Sequence, residues 1–435
     1  MGKTVAVISS LDTKEAEVAY IRELTERLGY SLFIIDIGAR RIPGIVPDVT
    51  ARDIVLAAGN EWDNIYGIPR HEMVEALIEG LKKLILPLYK GGKFDAILSV
   101  GGLQNTMVAV EAMKTLPIGL PKLVVSTVAC GQRTFEPLVG TKDIIVIPSV
   151  ADLTGINKVT GTILSNAVAA IGGMLEHAGN PLDAGKELVI GATLMGVTND
   201  GVANAVRLLE KANCQVVSFH ATGVGGRTME EFVDSGVIHA VMDLTLHEIT
   251  AEMFGGGFSW GAQNRLEAAC RAGIPQVVAP GGLDFIDYAL KDLPADLDGR
   301  KCVMHNPSIV HIKLKKNEAV NVANIVADRL NESRGPVTMV IPLRGFRDST
   351  APSEPLYAPE IDAAIIDTFH RRLRPGIRIV DVDANLNDER FSRAAAEEML
   401  KLISKFGDSS QLCAENQTPG KTSGTVLNSV PKIKS

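Results

Sequence analysis

What most constrains this chain is an alternation that begins at its fourth residue. TVAVISS over 4–10 is apolar without a polar alternate face, the pattern of a strand covered on both sides. Over 14–28, Ala16, Ala19, Ile21, Leu24 and Leu28 recur at helical spacing among charged residues, and Gly29 closes the stretch. SLFIIDI over 31–37 is a second strand. Strand, helix and strand in so short a span make a βαβ unit, which almost always implies a parallel sheet with helices on both faces.

The pattern continues. Strands are expected at 95–100, 122–127 and 144–148, and helices at 71–86, 103–114 and 162–177. The excursion 38–70, rich in Pro, Gly, Arg and Asp with Trp62 and Tyr66 near its end, is too long for a routine connection and is either a lid or a packing arm. GNPLDAGKE over 179–187 has the composition of a linker, after which the alternation restarts. Strands at 188–193, 214–219, 237–245, 275–281 and 377–382 alternate with helices at 201–212, 262–272, 360–373 and 388–406. LPKLVVST in the first half and IPQVVAPG in the second occupy matching places. The expected fold is α/β, with two Rossmann-like, doubly wound parallel-sheet subdomains over 1–180 and 187–406 facing an interdomain cleft. From Gly407 onward Ser, Thr, Gln, Asn and Lys predominate, so 407–435 is expected to be a disordered tail.

Composition narrows the function classes. Lys plus Arg number 44 against 51 Asp plus Glu, a net charge of −7, and no dense basic run appears. A nucleic-acid partner is therefore not expected. The five cysteines form no CxxC pair and suit a reducing compartment. MGKTVAVISS lacks the build of a signal peptide and no apolar run reads as a membrane span, so a cytoplasmic protein without membrane contact is expected.

Parallel sheets bind ligands beyond the carboxyl ends of their strands, where amides and helix N-termini converge. After the first strand come Asp12, Thr13 and Lys14; after 95–100, Gly101, Gly102, Asn105 and Thr106; after 122–127, Thr127, Ala129 and Cys130. Asp152, Asn157, Ser165 and Asn166 follow 144–148. These are candidate nucleotide-binding positions, with Asp12 or Asp152 as candidate ligands of Mg²⁺. In the second half HATGVGGRTMEE (220–231) is the most informative stretch, offering His220, Thr222, Gly223, Gly225, Gly226, Arg227 and Glu230. A Gly-rich turn with an arginine at a helix start is suited to an anion. Asp243, His247 and Glu248 follow the next strand, then Gly255-Gly256-Gly257, with Gly281 and Gly282 after 275–281. Plainer roles compete: a helix cap for 12–13, turn geometry for the Gly pair, packing for Cys130. Gly-Lys-Thr at 2–4 precedes its strand and at 420–422 lies in the tail, so neither is a phosphate loop, and no G-x-G-x-x-G opens a helix.

SVGGLQNT, PKLVVSTVACG, GINKVTGTILSNA, HATGVGGRTMEE, DLTLHEI and PGGLDFIDY, within a span from about residue 3 to about 405, resemble the family formed by the ATP-binding domain of the plant tobamovirus-resistance protein and its microbial relatives. The resemblance implies ATP with Mg²⁺ in or near the cleft and a homodimer. In the plant protein a barrel-type domain follows; here the sequence stops short of it, so a separate barrel-domain partner is an expectation. Three functions follow. The first is ATP binding. The second is phosphoryl or nucleotidyl transfer to a small molecule, with His220, Arg227, Glu230, Asp243 and Glu248 as the catalytic set. The third is glycosyl transfer from a nucleotide sugar, resting on shape alone.

Overall fold

A computed structural model describes residues 2–38, 43–62, 69–129, 136–177, 179, 188–254, 259–293, 295, 297, 299–348 and 352–415, with side chains 136–137 and 407–415 left aside. The chain divides into two units, Met1–Asp183 and Ala184–Ser435.

In the first unit the order is β1 (Thr4–Ser9), α1 (Leu11–Arg27), β2 (Ser31–Asp36), α2 (Ala51–Ala58), α3 (Arg70–Lys90), β3 (Ala96–Gly101), α4 (Leu103–Met113), β4 (Lys122–Ser126), α5 (Glu136–Val139), β5 (Ile145–Pro148) and α6 (Lys158–His177). The strands pair in parallel in the order β2-β1-β3-β4-β5. Strand periodicity sorts β1 between two cores: Ala6 and Ile8 pack with residues of α2, α3 and α4, and Val5 and Val7 with residues of α1 and α6. That is why the run shows no polar face.

Within the 38–70 arm, 43–62 is packing rather than lid. Val49 joins β2 by a parallel bridge to Ile35, and Ala51, Ile54 and Val55 are buried in the core. α2 crosses α3 so closely that a methyl on Gly80 would meet the Ile54 carbonyl oxygen at 1.8 Å. The helix starts at a capping box of Thr50 and Asp53, a four-residue signature readable in the sequence and passed over there. Tyr66 lies outside the described residues. Among the described residues α6 is the one helix long and apolar enough to cross a membrane, a run the sequence reading did not single out. Leu164, Ala167, Val168, Ile171 and Leu175 bury its apolar face in the core of the unit.

The second unit runs β6 (Val189–Leu194), α7 (Asn199–Lys211), β7 (Gln215–His220), α8 (Val224–Asp234), β8 (Ala240–Thr245), α9 (His247–Phe254), α10 (Glu267–Ala272), β9 (Gln276–Gly281), β10 (Phe285–Ala289), β11 (Cys302–Asn306), β12 (Ile309–Lys313), α11 (Lys316–Asn331), β13 (Val337–Pro342), α12 (Pro359–Arg372), β14 (Arg378–Val382) and α13 (Glu389–Glu415). Its parallel sheet is ordered β7-β6-β8-β9-β13-β14, the order of the first unit with one strand added. A three-stranded antiparallel sheet, β10-β12-β11, is inserted after β9. The sequence reading missed this sheet, α11 and β13. β11 is mostly exposed and carries weak strand signals, whereas the apolar run VTMVIP of β13 was legible. α13 continues as helix to Glu415, into the stretch expected to be disordered; 416–435 lies outside the described residues.

In each unit the first strand has its second on one side and its third on the other. The strand order therefore reverses between β1 and β3, and again between β6 and β8. Such a reversal opens a crevice at the carboxyl edge of a sheet, where ligands of this fold class bind.

Candidate functional site

At the first reversal the chain crosses from β1 to β3 by hydrogen bonds. Ser9 Oγ donates to the Val100 carbonyl at 2.9 Å, Asn105 Nδ2 donates to Ser99 Oγ at 2.8 Å, and Asn105 Oδ1 accepts from the Ser10 amide at 3.1 Å. Asn105 is buried, and a Cβ on Gly101 would come within 2.5 Å of its side chain, so Gly101 is glycine to admit this bolt. Thr106 is buried too, its hydroxyl 2.7 Å from Ser126 Oγ and donating to the Gly102 carbonyl. Neither side chain is turned outward for a phosphate, contrary to expectation. What stays open is the backbone. Gly102 opens α4 in an extended conformation, and among the described residues no side chain caps the first-turn amides, which a helix leaves without internal acceptors. Thr127 lies beside it: a Cβ on Gly102 would sit 3.6 Å from Thr127 Oγ1. Ala129 is buried below, and Cys130 is outside the described residues. Arg70, which the sequence reading did not select, donates to Gln104 Oε1 at 2.5 Å and so brings a cation to the same helix start.

Around β1 the candidates are drawn into other bonds. Asp36, buried at the end of β2, accepts from the Leu11 and Gly38 amides at 2.9 and 2.8 Å. Burial raises its carboxyl above the ordinary value against those amide bonds, and the charges of Asp12 and Glu15 add to the rise. Asp12 comes close to it, since a Cβ on Gly38 would lie 3.0 Å or less from both carboxylates. Thr13 is exposed, its hydroxyl 3.4 Å from the Ser10 carbonyl. Lys14 breaks the helical backbone of α1 and sends Nζ to the Leu153 carbonyl at 2.5 Å. Asp152 is exposed and accepts from the amide of Leu153 at 2.8 Å. Asn157 caps α6 through the Val159 and Thr160 amides, Ser165 meets the Tyr20 hydroxyl at 3.1 Å, and Asn166 is exposed. Among the described residues no group of three or more His, Cys, Asp or Glu side chains is placed to hold a metal, Asp12 and Asp152 included.

At the second reversal the expected anion turn holds an anion of the protein's own. Glu248 Oε1 accepts from the Gly223 amide at 2.6 Å and the Gly226 amide at 3.1 Å, at the N-terminus of α8. Gly226 admits this contact, since a Cβ there would lie 1.9 Å from Glu248 Oε2, while one on Gly225 would lie 1.9 Å from the His220 carbonyl at the end of β7. Oε2 of Glu248 accepts from Arg265 Nε at 2.6 Å. The same guanidinium reaches Asp243 through both terminal nitrogens at 2.9 and 2.7 Å, and Glu230 at 3.1 Å. Glu230 also accepts the Leu266 and Ala268 amides at the start of α10. All four side chains are buried. Three carboxylates on one guanidinium carry a formal −2, and burial, with the Asp243 charge alongside, pushes Glu230 up to about 6 against the pull of Arg265.

Thr193 donates to Asp243 at 2.6 Å, and Thr198 and Thr245 share a 2.8 Å bond, which fills the rest of the crevice edge. Glu230, Asp243 and Glu248 are thus brought together as expected, but around Arg265 and closed to a ligand. The unread signal was three acids beyond neighbouring strands with no cation assigned to them. His220 and Arg227 stay outside this knot: His220 is exposed, 3.1 Å from Thr222 Oγ1, and Arg227 is half-buried, 3.4 Å from the Gly261 carbonyl. Gly281 and Gly282 serve packing: a Cβ on Gly281 would strike the Leu244 carbonyl, and the Gly282 carbonyl faces His247 Nδ1 at 2.8 Å. Gly255-Gly256-Gly257 lies outside the described residues.

His247 also meets Asp287 at 3.1 Å, and Asp287 accepts from Ser259 at 3.0 Å. Burial alone would lower the imidazole's affinity for its proton, but Asp287 and the Gly282 carbonyl hold it above the ordinary value. Asp243 and Glu248 are thus held on Arg265 while His247 faces Asp287 and the Gly282 carbonyl, and among the described residues the three form no metal-holding group. A second buried group joins Asp284 to Lys313 at 2.6 Å and to Arg347 at 3.2 Å, with Lys313 also 2.9 Å from Asp362. Despite burial, the Lys313 and Arg347 charges hold Asp284 at about 2, whereas burial and the Asp284 charge push Asp362 up to about 6.

These two sheets define an α/β protein of two Rossmann-like units, one crevice edge open at the backbone and the other filled by its own side chains. The chain belongs to the uncharacterised protein family UPF0261, whose N-terminal domain model matches residues 3–180 and C-terminal domain model residues 187–403. A UPF0261 protein of Clostridium tetani is 35% identical over 408 residues, covering 93% of this chain and all of its own length. The ToMV susceptible protein tm-1(GCR26) of Solanum lycopersicum is 32% identical over 74% of this chain, a match that covers 43% of the tomato protein. Among solved structures, UDP-N-acetylglucosamine 2-epimerase from Rickettsia bellii overlaps 96% of this chain and all of its own at 10% identity and a TM-score of 0.22. The corresponding enzyme from Methanocaldococcus jannaschii overlaps 92% of each chain at 9% identity and a TM-score of 0.21. Scores this low carry no inference about ligand or reaction.

Proposed function

We propose that this protein binds a nucleotide, ATP with Mg²⁺ being the form the family resemblance implies, by gripping phosphate at the carboxyl edge of the first unit between β1 and β3. The observation that carries the reading is the start of α4. Its first-turn amides are uncapped, the glycine before them admits close approach, the Thr127 hydroxyl is alongside, and Arg70 stands at the helix start. Mg²⁺ favours one or two carboxylates plus phosphate oxygens, so Asp12 at the neighbouring helix start suffices as its protein ligand. The reading is binding rather than transfer, because Glu230, Asp243 and Glu248 are committed to Arg265, which leaves the transfer alternative with His220 and Arg227. Calorimetric titration of the full chain with Mg-ATP, Mg-ADP and adenosine tests it. Saturable heat with both nucleotides and none with adenosine is expected; no heat from either nucleotide at millimolar concentration overturns the reading.

A further inference from the structure

The second unit holds a pocket of about 180 Å³ whose chemistry the nucleotide reading does not use. A cavity of about 150 Å³ admits a benzene-sized ligand, so the space suits a small metabolite. Two nearly fully buried side chains line it with unused polar capacity. Arg347, 3% exposed, is held from behind by Asp284 at Nε and lies over the Phe285 ring at 5.2 Å. Its terminal nitrogens make no hydrogen bond among the described residues; the Asp348 carboxylate is 3.9 Å from Nη1. His311, 4% exposed, is fixed by ring contacts with Phe285 at 4.5 Å and His305 at 4.4 Å, and its ring nitrogens make no hydrogen bond among the described residues. The same pocket is lined by the acidic residues Asp348 and Glu354 and by apolar Val197, Met304 and Leu356.

A guanidinium presenting its terminal edge is built for a planar carboxylate. Two acids in the same space oppose a phosphate dianion, and they require a cationic group on any carboxylate that enters. We propose that this pocket binds a small zwitterion of the α-amino-acid class, its carboxylate on the outer edge of Arg347 and its ammonium between Asp348 and Glu354. His311 supplies a neutral hydrogen-bonding group against the remaining polar atoms. The site lies wholly within the second unit and stands or falls separately from the nucleotide reading.

The test is thermal-shift screening of the full chain against the twenty standard amino acids, followed by calorimetry. Lactate, ethanolamine and inorganic phosphate serve as probes lacking the ammonium, lacking the carboxylate and lacking both. At least one amino acid is expected to bind with a Kd of about 1 mM or tighter. Arg347→Lys, which keeps the charge and loses the fork, should weaken it by about tenfold or more. Met304→Trp, which fills the pocket from a half-exposed position, should abolish binding while leaving the ligand-free melting temperature unchanged. Three results overturn the proposal: no amino acid binding in that range, lactate or phosphate binding as tightly as the best amino acid, or Met304→Trp binding as well as the natural sequence. If Arg347→Lys itself lowers the ligand-free melting temperature, Met304→Trp decides.

Discussion

Replacing Gly102 by Asp separates two quantities that most site mutations confound. Gly102 is the N-cap of α4, with φ −87° and ψ −164°, a conformation open to any L residue. Its Cβ would meet nothing closer than Thr127 Oγ1 at 3.6 Å, an ordinary contact. Aspartate there accepts a hydrogen bond from the helix's first turn and complements its dipole, worth about 0.3–1 kcal/mol over glycine. The same carboxylate occupies the position proposed for a phosphate oxygen. Two unit charges about 4 Å apart repel by about 4 kcal/mol at an effective dielectric of 20. Because Gly102 is only partly buried, we take about 1–2 kcal/mol, a rise in Kd of about five- to thirtyfold. Gly102→Asp should therefore raise the urea midpoint slightly while weakening Mg-ATP binding in calorimetry, and Gly102→Ala should leave stability near that of the natural sequence. Unchanged nucleotide affinity in Gly102→Asp would remove the phosphate from the start of α4. A stability loss above about 1 kcal/mol would instead show that the helix start is not free to accept a cap.

The Glu248 knot and His311 give further expectations. Glu248→Ala strips the Arg265 guanidinium and two amides of an acceptor, so urea unfolding should show a loss of about 3–5 kcal/mol; less than about 1 kcal/mol would mean the knot is not structural. Gly226→Ala should cost about 1–3 kcal/mol by collision with the same carboxylate, and the double variant should fall short of the sum, because the methyl group enters space the shorter side chain vacates. His311 is pushed down to about 3 by burial, with the charges of His305, His247 and Arg347 acting in the same direction and Asp287 opposing. The folded state then binds fewer protons than the unfolded chain below pH 6.5, so this contribution to stability is complete above that value and is lost as pH falls toward about 3. His311→Asn should flatten the acid limb of stability by up to about 1.4 kcal/mol per pH unit relative to the natural sequence, read from urea midpoints at pH 7, 6 and 5; parallel curves would refute the assignment.

How much of this was legible depended on whether a signal was local. The parallel strands that open the first unit were readable because β1 and its neighbour β3 are short runs apolar on both faces, bounded by turn and helix signals. α2 was missed because its four-residue cap lay inside a Pro- and Gly-rich stretch that reads as loop, although Thr50 and Asp53 were there to be read. The site was harder. The turn HATGVGGR reads as anion-seeking because consecutive amides at a helix start make that property local, and two of those amides hold the Glu248 carboxylate. The identity of the anion is not local, because Glu248 approaches from a helix two elements further along the chain and is fixed there by Arg265. Asn105 and Thr106 misled for the same reason: a polar side chain after a strand reads alike whether it faces a ligand or ties two strands together, and only the Ser10 and Ser126 partners decide.

That the second unit houses its own acid in its Gly-rich turn has a quantitative corollary. An intramolecular carboxylate competes at the effective concentration set by its tether, of millimolar order or above, so a freely diffusing oxyanion must exceed that level and also part Glu248 from Arg265 to take its place. The turn is in this sense a receptor shipped with its occupant. Shortening Glu248 alone would vacate it.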